Sequence, residues 1–313
     1  LKTSLAFLAL LLAPAVPAQV KFEQLPDRVR VTIDGREFTE FIFDAVNNKP
    51  YLYPIRSASG KIITRYYPFK IVPGEDAEHP HHRGIWFTHG DVNGYDFWGS
   101  DASQKSPKQG RVLLDRIVSA QGGTSSGTLI TNFRWLAPGG KTVLFEHRKT
   151  VFYSHPSLRM IDFDIELTAT AGPVHFGDTK EGTFAVRVGA PLSEDHGGTL
   201  VSSDGRKSEK KIWGTEADWI DDYGTVGGEK LGVAIFDHPS NPHHPTYWHA
   251  RAYGLLAANI FGLHDFLNDK SKDGGVTLKS GATLRFRYRV IIHPGDTASA
   301  GIAKLYSEYA QTK

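Results

Sequence analysis

The chain of 313 residues has no cysteine and a single methionine. Without cysteine there is no disulfide framework and no thiolate metal site, so stability must come from the core. A lipid anchor through an N-terminal cysteine is excluded as well. Charge of one sign is also lacking: 36 basic against 34 acidic side chains leave a net +2. That is far short of the electrostatic footprint nucleic-acid binding requires. The one dense basic run, Lys207 to Lys211 (KSEKK), reads as a solvated loop. There is no GxSxG elbow, no HExxH and no phosphate-binding glycine loop, which demotes serine hydrolases, zincins and nucleotide-dependent enzymes.

No segment after residue 18 approaches 18 uninterrupted apolar residues, so no membrane span is expected. The opening stretch, LKTSLAFLALLLAPAVPAQV, has Lys2, an apolar run from Leu5 to Leu12, and small residues ending in Val16-Pro17-Ala18. This is the pattern of a secretory signal peptide over residues 1–18, and it predicts a periplasmic or extracellular mature chain. The leading Leu is read as an alternative start or a trimmed Met.

What is present is alternation. Short runs such as Val29 to Ile33, Thr142 to Phe145 and Met160 to Leu167 read with a period of two, as half-buried strands do. Thr283 to Val290 alternates most cleanly, with Arg285, Arg287 and Arg289 opposite Leu284, Phe286, Tyr288 and Val290. Those arginines are read as a solvated face in preference to a wall of an anionic groove. Helical spacing is convincing only over Thr297 to Gln311, through Ile302, Leu305, Tyr306 and Tyr309. The fold class is therefore all-β: a large antiparallel β-sandwich with a short C-terminal helix. Residues 19–313 are expected to form one domain, since no linker or repeat divides them, and Gly122 to Gly127 (GGTSSG) reads as a flexible loop tip between strands.

Histidine is unevenly spread. Eight of the 14 fall in two windows: His79, His81, His82 and His89 in EHPHHRGIWFTHGDVNGYDFWG, and His238, His243, His244 and His249 in DHPSNPHHPTYWHAR. Neutral imidazole binds metals and moves protons near neutral pH, so the excess points to chemistry; polar His-Pro loops are the competing reading. If Arg83 to Thr88 is extended, Arg83, Ile85, Phe87 and His89 face one way and His82, Gly84, Trp86 and Thr88 the other. In GDTKEGTFAVRV, Glu181, Thr183, Ala185 and Arg187 share a face. Such a Glu is a usable acid or base and such an Arg holds a carboxylate or oxyanion, with a structural ion pair across a sheet as the alternative. In Tyr247 to Gly254, His249, Arg251 and Tyr253 lie together opposite Trp248, Ala250 and Ala252. Six Trp and 12 Tyr supply rings for sugar stacking, although most tryptophans of a sandwich belong to its core.

Through HPHHRGIWFTHGDVNGYDFW, GDTKEGTFAVRV and WHARAYGLLAANIFGLHDF, the sequence resembles, from about residue 25 onward, a bacterial family labelled "methane oxygenase PmoA" and also treated as a domain of unknown function. The resemblance implies a galactose-mutarotase-like β-sandwich (a supersandwich) and work on carbohydrates beside sugar-oxidising dehydrogenases. Methane oxidation is not expected of a chain without a membrane span.

The leading expectation is a secreted carbohydrate-active enzyme that cleaves or rearranges a sugar, either a keto-sugar or one carrying a uronate. Elimination needs a base, His82 or His249, and a positive charge from Arg83, Arg187, Arg251 or a divalent metal. Metal-independent epimerisation needs only Glu181 with one histidine. Hydrolysis ranks third, with Asp178, Glu181, Glu216, Asp221 and Asp222 offering no preferred pair. The alternative from another class is a non-catalytic carbohydrate-binding sandwich. Catalytic roles are assigned to His82, Glu181 and His249, and substrate contacts to His81, Arg83, His89, Asn93, Trp98, Arg187, Arg251 and His264. Metal ligands and oligomeric state are left unassigned. The assignment requires His81–Arg83, Glu181–Arg187 and His249–Arg251 to converge.

Overall fold

The computed structural model describes residues 19–104 and 106–313; the expected signal peptide lies outside the described residues. In chain order its strands are β1 (Val20–Gln24), β2 (Arg28–Ile33), β3 (Arg36–Ile42), β4 (Tyr51–Tyr53), β5 (Ile85–His89), β6 (Arg111–Gln121), β7 (Ser126–Leu136), β8 (Thr142–Tyr153) and β9 (Arg159–Thr168). There follow β10 (Val174–Phe176), β11 (Gly182–Arg187), β12 (Thr199–Ser202), β13 (Trp219–Val226), β14 (Glu229–Asp237), β15 (Tyr247–Arg251), β16 (Leu255–Asn259), β17 (Val276–Leu278) and β18 (Thr283–Pro294). Three short helices are α1 (Glu209–Ile212), α2 (Leu263–Phe266) and α3 (Ile302–Tyr309).

Sixteen of these strands form two antiparallel sheets of eight. The first runs β1-β2-β3-β4-β5-β11-β16-β15 and the second β12-β13-β14-β18-β9-β8-β7-β6, while β10 and β17 pair separately. The expected all-β antiparallel sandwich with a short C-terminal helix is what the chain forms. Alternation places the core: Val29, Val31 and Ile33 of β2 and Ile161, Phe163, Ile165 and Leu167 of β9 are buried between the sheets. Phe184 of β11 bridges the two layers, 4.8 Å from the Phe163 ring and 4.5 Å from that of Tyr288 on β18.

Several local expectations change. The β18 arginines neither line a groove nor stand free in solvent. Arg289 pairs with Asp162 at 2.6 and 2.7 Å, Arg285 with Asp164 at 2.7 and 2.5 Å, and Arg287 reaches the Thr312 carbonyl at 3.1 Å. Helix α3 is shorter than its periodic pattern: the Asp296 carboxylate caps a turn by accepting from Ser299 N at 2.9 Å, and Gly301 at φ +67° sets the start at Ile302. Residues 122–125 join β6 to β7 as a hairpin tied to β1, and Ser126 and Gly127 already belong to β7; Gly123 and Val20 exchange backbone hydrogen bonds at 2.8 and 3.1 Å. The Lys207–Lys211 run includes most of α1, and its Glu209 faces the candidate site.

Gly84 sets the entry to β5. It adopts φ +56°, and a Cβ there would stand 1.9 Å from the Leu52 carbonyl oxygen. This left-handed residue breaks the extended run assumed from Arg83 onward, so His82 and Arg83 are aimed by a turn rather than by strand alternation. Gly84→Ala combines left-handed strain with overlap and is expected to lower unfolding free energy by about 2–5 kcal/mol in urea titrations. Gly281→Ala, at φ +79° with nothing within 4 Å, carries the strain alone and should lose only about 1–2 kcal/mol. Equal losses would show that the close approach to Leu52 contributes nothing.

Candidate functional site

One cross-strand row on the outer face of the first sheet borders the site. Trp86 on β5 faces Ala185 on β11, Ala185 faces Ala257 on β16, and Ala257 faces His249 on β15. Three strand spacings of about 4.8 Å put roughly 14 Å between the ends of this row. Its two middle members are fully buried, packed in one apolar cluster with Trp86, Trp98 and Leu255. Beside that row lies a cavity of about 500 Å3, to which the row contributes His249 and the neighbouring apolar cluster contributes Trp98.

The cavity is lined together by His81 and His82, by Glu181, and by His249 and Arg251. The three separate segments therefore meet. Strand alternation explains the β15 contribution, while Glu181 lies just before β11. On β11 Phe184 and Val186 enter the core while Ala185 and Arg187 face outward, and on β15 Trp248 and Ala250 enter the core while His249 and Arg251 face outward.

Burial sets the state of each group. The His249 Nδ1 lies 2.8 Å from the Lys180 carbonyl oxygen. A carbonyl only accepts, so Nδ1 carries the proton and Nε2 the lone pair. Desolvation pushes this imidazole down to about 3, and that of His81, 3.1 Å from Gln104 Oε1, to about 3 as well. His82 is held well below the usual histidine range by burial, and neither of its ring nitrogens has a partner among the described residues. Glu181 moves the other way, its carboxyl pushed up by burial. The His82 ring lies in a near-parallel stack with Trp86 at 5.3 Å and His79 at 4.8 Å, and His79 stacks in turn on Tyr253 at 5.5 Å.

Not every expected residue arrives. His89 lies on the face opposite Trp86, fully buried beside Phe261 at 4.6 Å, with Nε2 2.8 Å from the Gly177 carbonyl. Its own alternation with Ile85 and Phe87 puts it in the core. Asn93 is an exposed turn residue at φ +54° whose Oδ1 accepts from His175 N at 2.8 Å. His264 stands on α2 and pairs with Asp178 at 2.5 Å. Arg83 is held away by Asp101 at 2.6 Å and Asn47 at 2.5 Å. Arg187 lies behind the wall: its Nη2 meets Glu78 Oε1 at 2.5 Å and its guanidinium covers the Tyr253 ring at 4.3 Å, which makes it a support for Tyr253. Of the second histidine window only His249 contributes; His244 is engaged by Asp237 at 2.7 Å, and His238 lies near the Thr312 carbonyl at 3.1 Å. Among the carboxyls considered for hydrolysis, Asp221 and Asp222 are buried on β13, and Asp221 pairs with His293 at 3.0 Å.

Residues missed from sequence include Asp96, His79 and Tyr253, all lining the cavity, and Glu209, which holds Arg251 Nε at 3.2 Å. Tyr253 had a signal, since it shares the outward set with His249 and Arg251. Asp96 and Glu209 had none, because loop geometry and α1 bring them in. Among the described residues, no group of three His, Cys, Asp or Glu side chains is arranged to hold a metal ion.

A profile described as "Family of unknown function (DUF6807)" matches residues 28–307, and no "methane oxygenase PmoA" label is part of that description. No curated protein matches the chain. Among solved structures, a galactose mutarotase-like protein from Lactobacillus casei ATCC 334 is similar at 9% identity and a TM-score of 0.41, over 88% of this chain and 100% of that one. A putative aldose 1-epimerase from Escherichia coli K12 is similar at 10% identity and 0.32, over 88% and 99%. A GH36 α-galactosidase from Geobacillus stearothermophilus gives 8% and 0.34, over 89% and 40%. Likeness this distant bears on no residue of the site.

The depressed histidines make stability depend on acid. With His249 near 3 when folded and about 6.5 when unfolded, the unfolded chain binds the extra proton between those limits, so stability falls as pH drops through that window. The slope is about 1.4 kcal/mol per pH unit for each such histidine. His249→Asn should flatten the urea-measured stability profile between about pH 6 and pH 4 by one proton's worth. An unchanged slope would mean that His249 is already charged in the folded chain.

Proposed function

The chain belongs to the DUF6807 family, a family of unknown function, and we propose that it acts on a carbohydrate by proton transfer in the cavity of the first sheet. One observation carries the ligand class: among the described residues, buried polar atoms at and behind the cavity stand without hydrogen-bond partners. They are both ring nitrogens of His82 and the indole nitrogen of Trp98, which line it, and the indole nitrogen of Trp86, packed behind those two rings. A neutral imidazole has one donor and one acceptor and an indole one donor, and each left unpaired costs about 1–3 kcal/mol. A sugar satisfies them, because its hydroxyls donate and accept at short intervals while its C–H faces pack on rings such as Trp98 and Tyr253. The volume, about 500 Å3, is in the range of small-molecule sites.

The states of the groups assign the roles. His82 and His249 are uncharged and weakly basic, so the base role first read for them passes to Glu181, whose raised pKa brings it toward the pH of operation. Glu181 removes a proton from a sugar carbon, most readily one made acidic by an adjacent carbonyl in a keto-sugar or by a uronate. Arg251 and a donated His82 N–H receive the negative charge that develops on oxygen. The His249 Nε2 lone pair accepts from a hydroxyl and orients the ring. Loss of a substituent then gives elimination; return of the proton to the other face gives epimerisation. A second reading, glycoside hydrolysis, rests on Asp96, the carboxyl that lines the cavity together with Glu181.

Export directed by residues 1–18 would place this chemistry in the periplasm or outside the cell, a reading supported by the charged, apolar and small-residue pattern there. Among the described residues no helix is long and apolar enough to cross a membrane, and methane oxidation has no part in the proposal.

The test is incubation with glycans and 3-keto-glycosides, with products followed by mass spectrometry. Elimination without hydrolysis, or a change of configuration without mass change, is the expected result. Glu181→Gln should reduce turnover by about 10²–10⁴-fold while sugar binding persists. His82→Ala should weaken binding by about 5–150-fold through lost hydrogen bonds. If glycans bind and none is ever converted, the protein is a carbohydrate-binding sandwich and the catalytic roles fall.

A further inference from the structure

Two cations line the cavity with donors left over. Lys180 stands just before β11, next to Glu181, and Arg251 ends β15; both face into the cavity. The Lys180 backbone is fixed on both sides, its N–H donating to Asp265 Oδ2 at 3.1 Å and its carbonyl accepting from His249 Nδ1 at 2.8 Å, whereas its ammonium has no hydrogen bond and no ion pair among the described residues. Arg251 is gripped on one side only. Glu209 Oε1 lies 3.2 Å from its Nε, and the other Glu209 oxygen accepts from Ala252 N at 2.6 Å, which anchors that carboxylate to the end of β15. The two terminal nitrogens of the guanidinium have no partner among the described residues. Both positive charges act on Glu181 and on His249, so they border the same space.

An open ammonium beside an open guanidinium fork suits an anion, and the fork matches a carboxylate through two parallel N–H bonds. The carboxyls that would repel such a ligand are restrained. Asp96 Oδ1 accepts from Trp98 N and Gly99 N, both at 2.8 Å, and burial pushes the carboxyls of Asp96 and Glu181 up toward their neutral forms. We infer that the sugar bound here is a uronate, its carboxylate held between Arg251 and Lys180. The inference rests on the carbohydrate reading above and chooses between the two carbon acids, keto-sugar and uronate, that it allows.

A carboxylate seated on these cations also gives Glu181 its target. The ring carbon that bears the carboxylate holds a hydrogen of low acidity, because its removal builds a second negative charge beside the first. Pairing with Arg251 and Lys180 offsets the first charge. Glu181 then takes the proton, the C–H electron pair enters the carboxylate to give an enediolate, and the same two cations hold the added charge. No oxidant or co-reactant enters the step. A sulfate ester on the sugar would satisfy the cations, but it is not conjugated with a ring carbon and accepts none of these electrons. Only the carboxylate serves both the cations and the base.

The experiment titrates the full chain calorimetrically at neutral pH with methyl glucuronoside and methyl galacturonoside, with the matching methyl glucoside and galactoside, with a methyl 3-ketoglucoside and with glucose 6-sulfate. At least one uronoside should bind about 10–150-fold more tightly than its neutral counterpart, the range of hydrogen bonds to a charged partner. Lys180→Gln keeps the backbone carbonyl that fixes His249, and it should shrink that preference by about 10-fold while affinity for the neutral sugar and circular dichroism match the parent. Lys180→Arg should restore the preference, and added salt should weaken it in the parent. Equal affinity for uronoside and neutral sugar, or tighter binding of the ketone or the sulfate, overturns the uronate and leaves the carbohydrate reading standing. A preference untouched by Lys180→Gln and by Arg251→Gln overturns the roles of these cations. Binding of none of the sugars overturns the inference through its premise, the carbohydrate reading.

Discussion

The row Trp86, Ala185, Ala257 and His249 depends on register, and the rest of the molecule depends on the same register. Residues alternate across a strand, so the pairing that aligns two alanines on the outer face beside the cavity also turns Phe184 into the core against Phe163 and Tyr288. A shift by one residue on β11 would exchange the two faces, burying Ala185 where a ring is required and forcing Phe184 into the packed cluster beside the cavity. Core and cavity are opposite faces of one constraint. The site cannot be repositioned without dismantling the sandwich.

Burial does two opposed things at the cavity. It keeps the imidazoles of His81, His82 and His249 uncharged and raises the carboxyl of Glu181. Groups that would all be charged in mildly acidic water are brought toward neutral forms that exchange hydrogen bonds and protons. Behind them the charges are paired: Glu78 joins Arg65 at 2.9 Å and Arg187 at 2.5 Å, and Arg187 covers Tyr253. The polar wall therefore stands on an ionic footing that the reacting groups do not share.

Much of this arrangement was legible from alternation alone. The outward sets on β11 and β15 follow from sequence, as does the all-β class, because a two-residue period fixes which neighbours share a face. The same rule placed His89 opposite Trp86, and assigning it to the site went against its own pattern. Other features required information that period-2 spacing does not contain. Arg83 and His82 are aimed by the left-handed turn at Gly84, Asp96 arrives on a loop, and Glu209 arrives on a single helical turn within what reads as a basic run. Pairing of the β18 arginines with Asp162 and Asp164 depends on β18 lying beside β9, a tertiary fact that neither segment reveals by itself.

The row across the first sheet also fixes when the site comes into being. Trp86 and Ala185 are partners about a hundred positions apart, and Ala257 and His249 join from still later in the chain. Each junction between distant segments closes a long loop before its contacts repay the lost entropy, which makes such pairings late events in folding. The cavity has no partial version on the way. A chain still assembling its sheets carries the histidines, the glutamate and the arginine as scattered side chains, and it gains a chemical identity in the same cooperative step that gives it a shape.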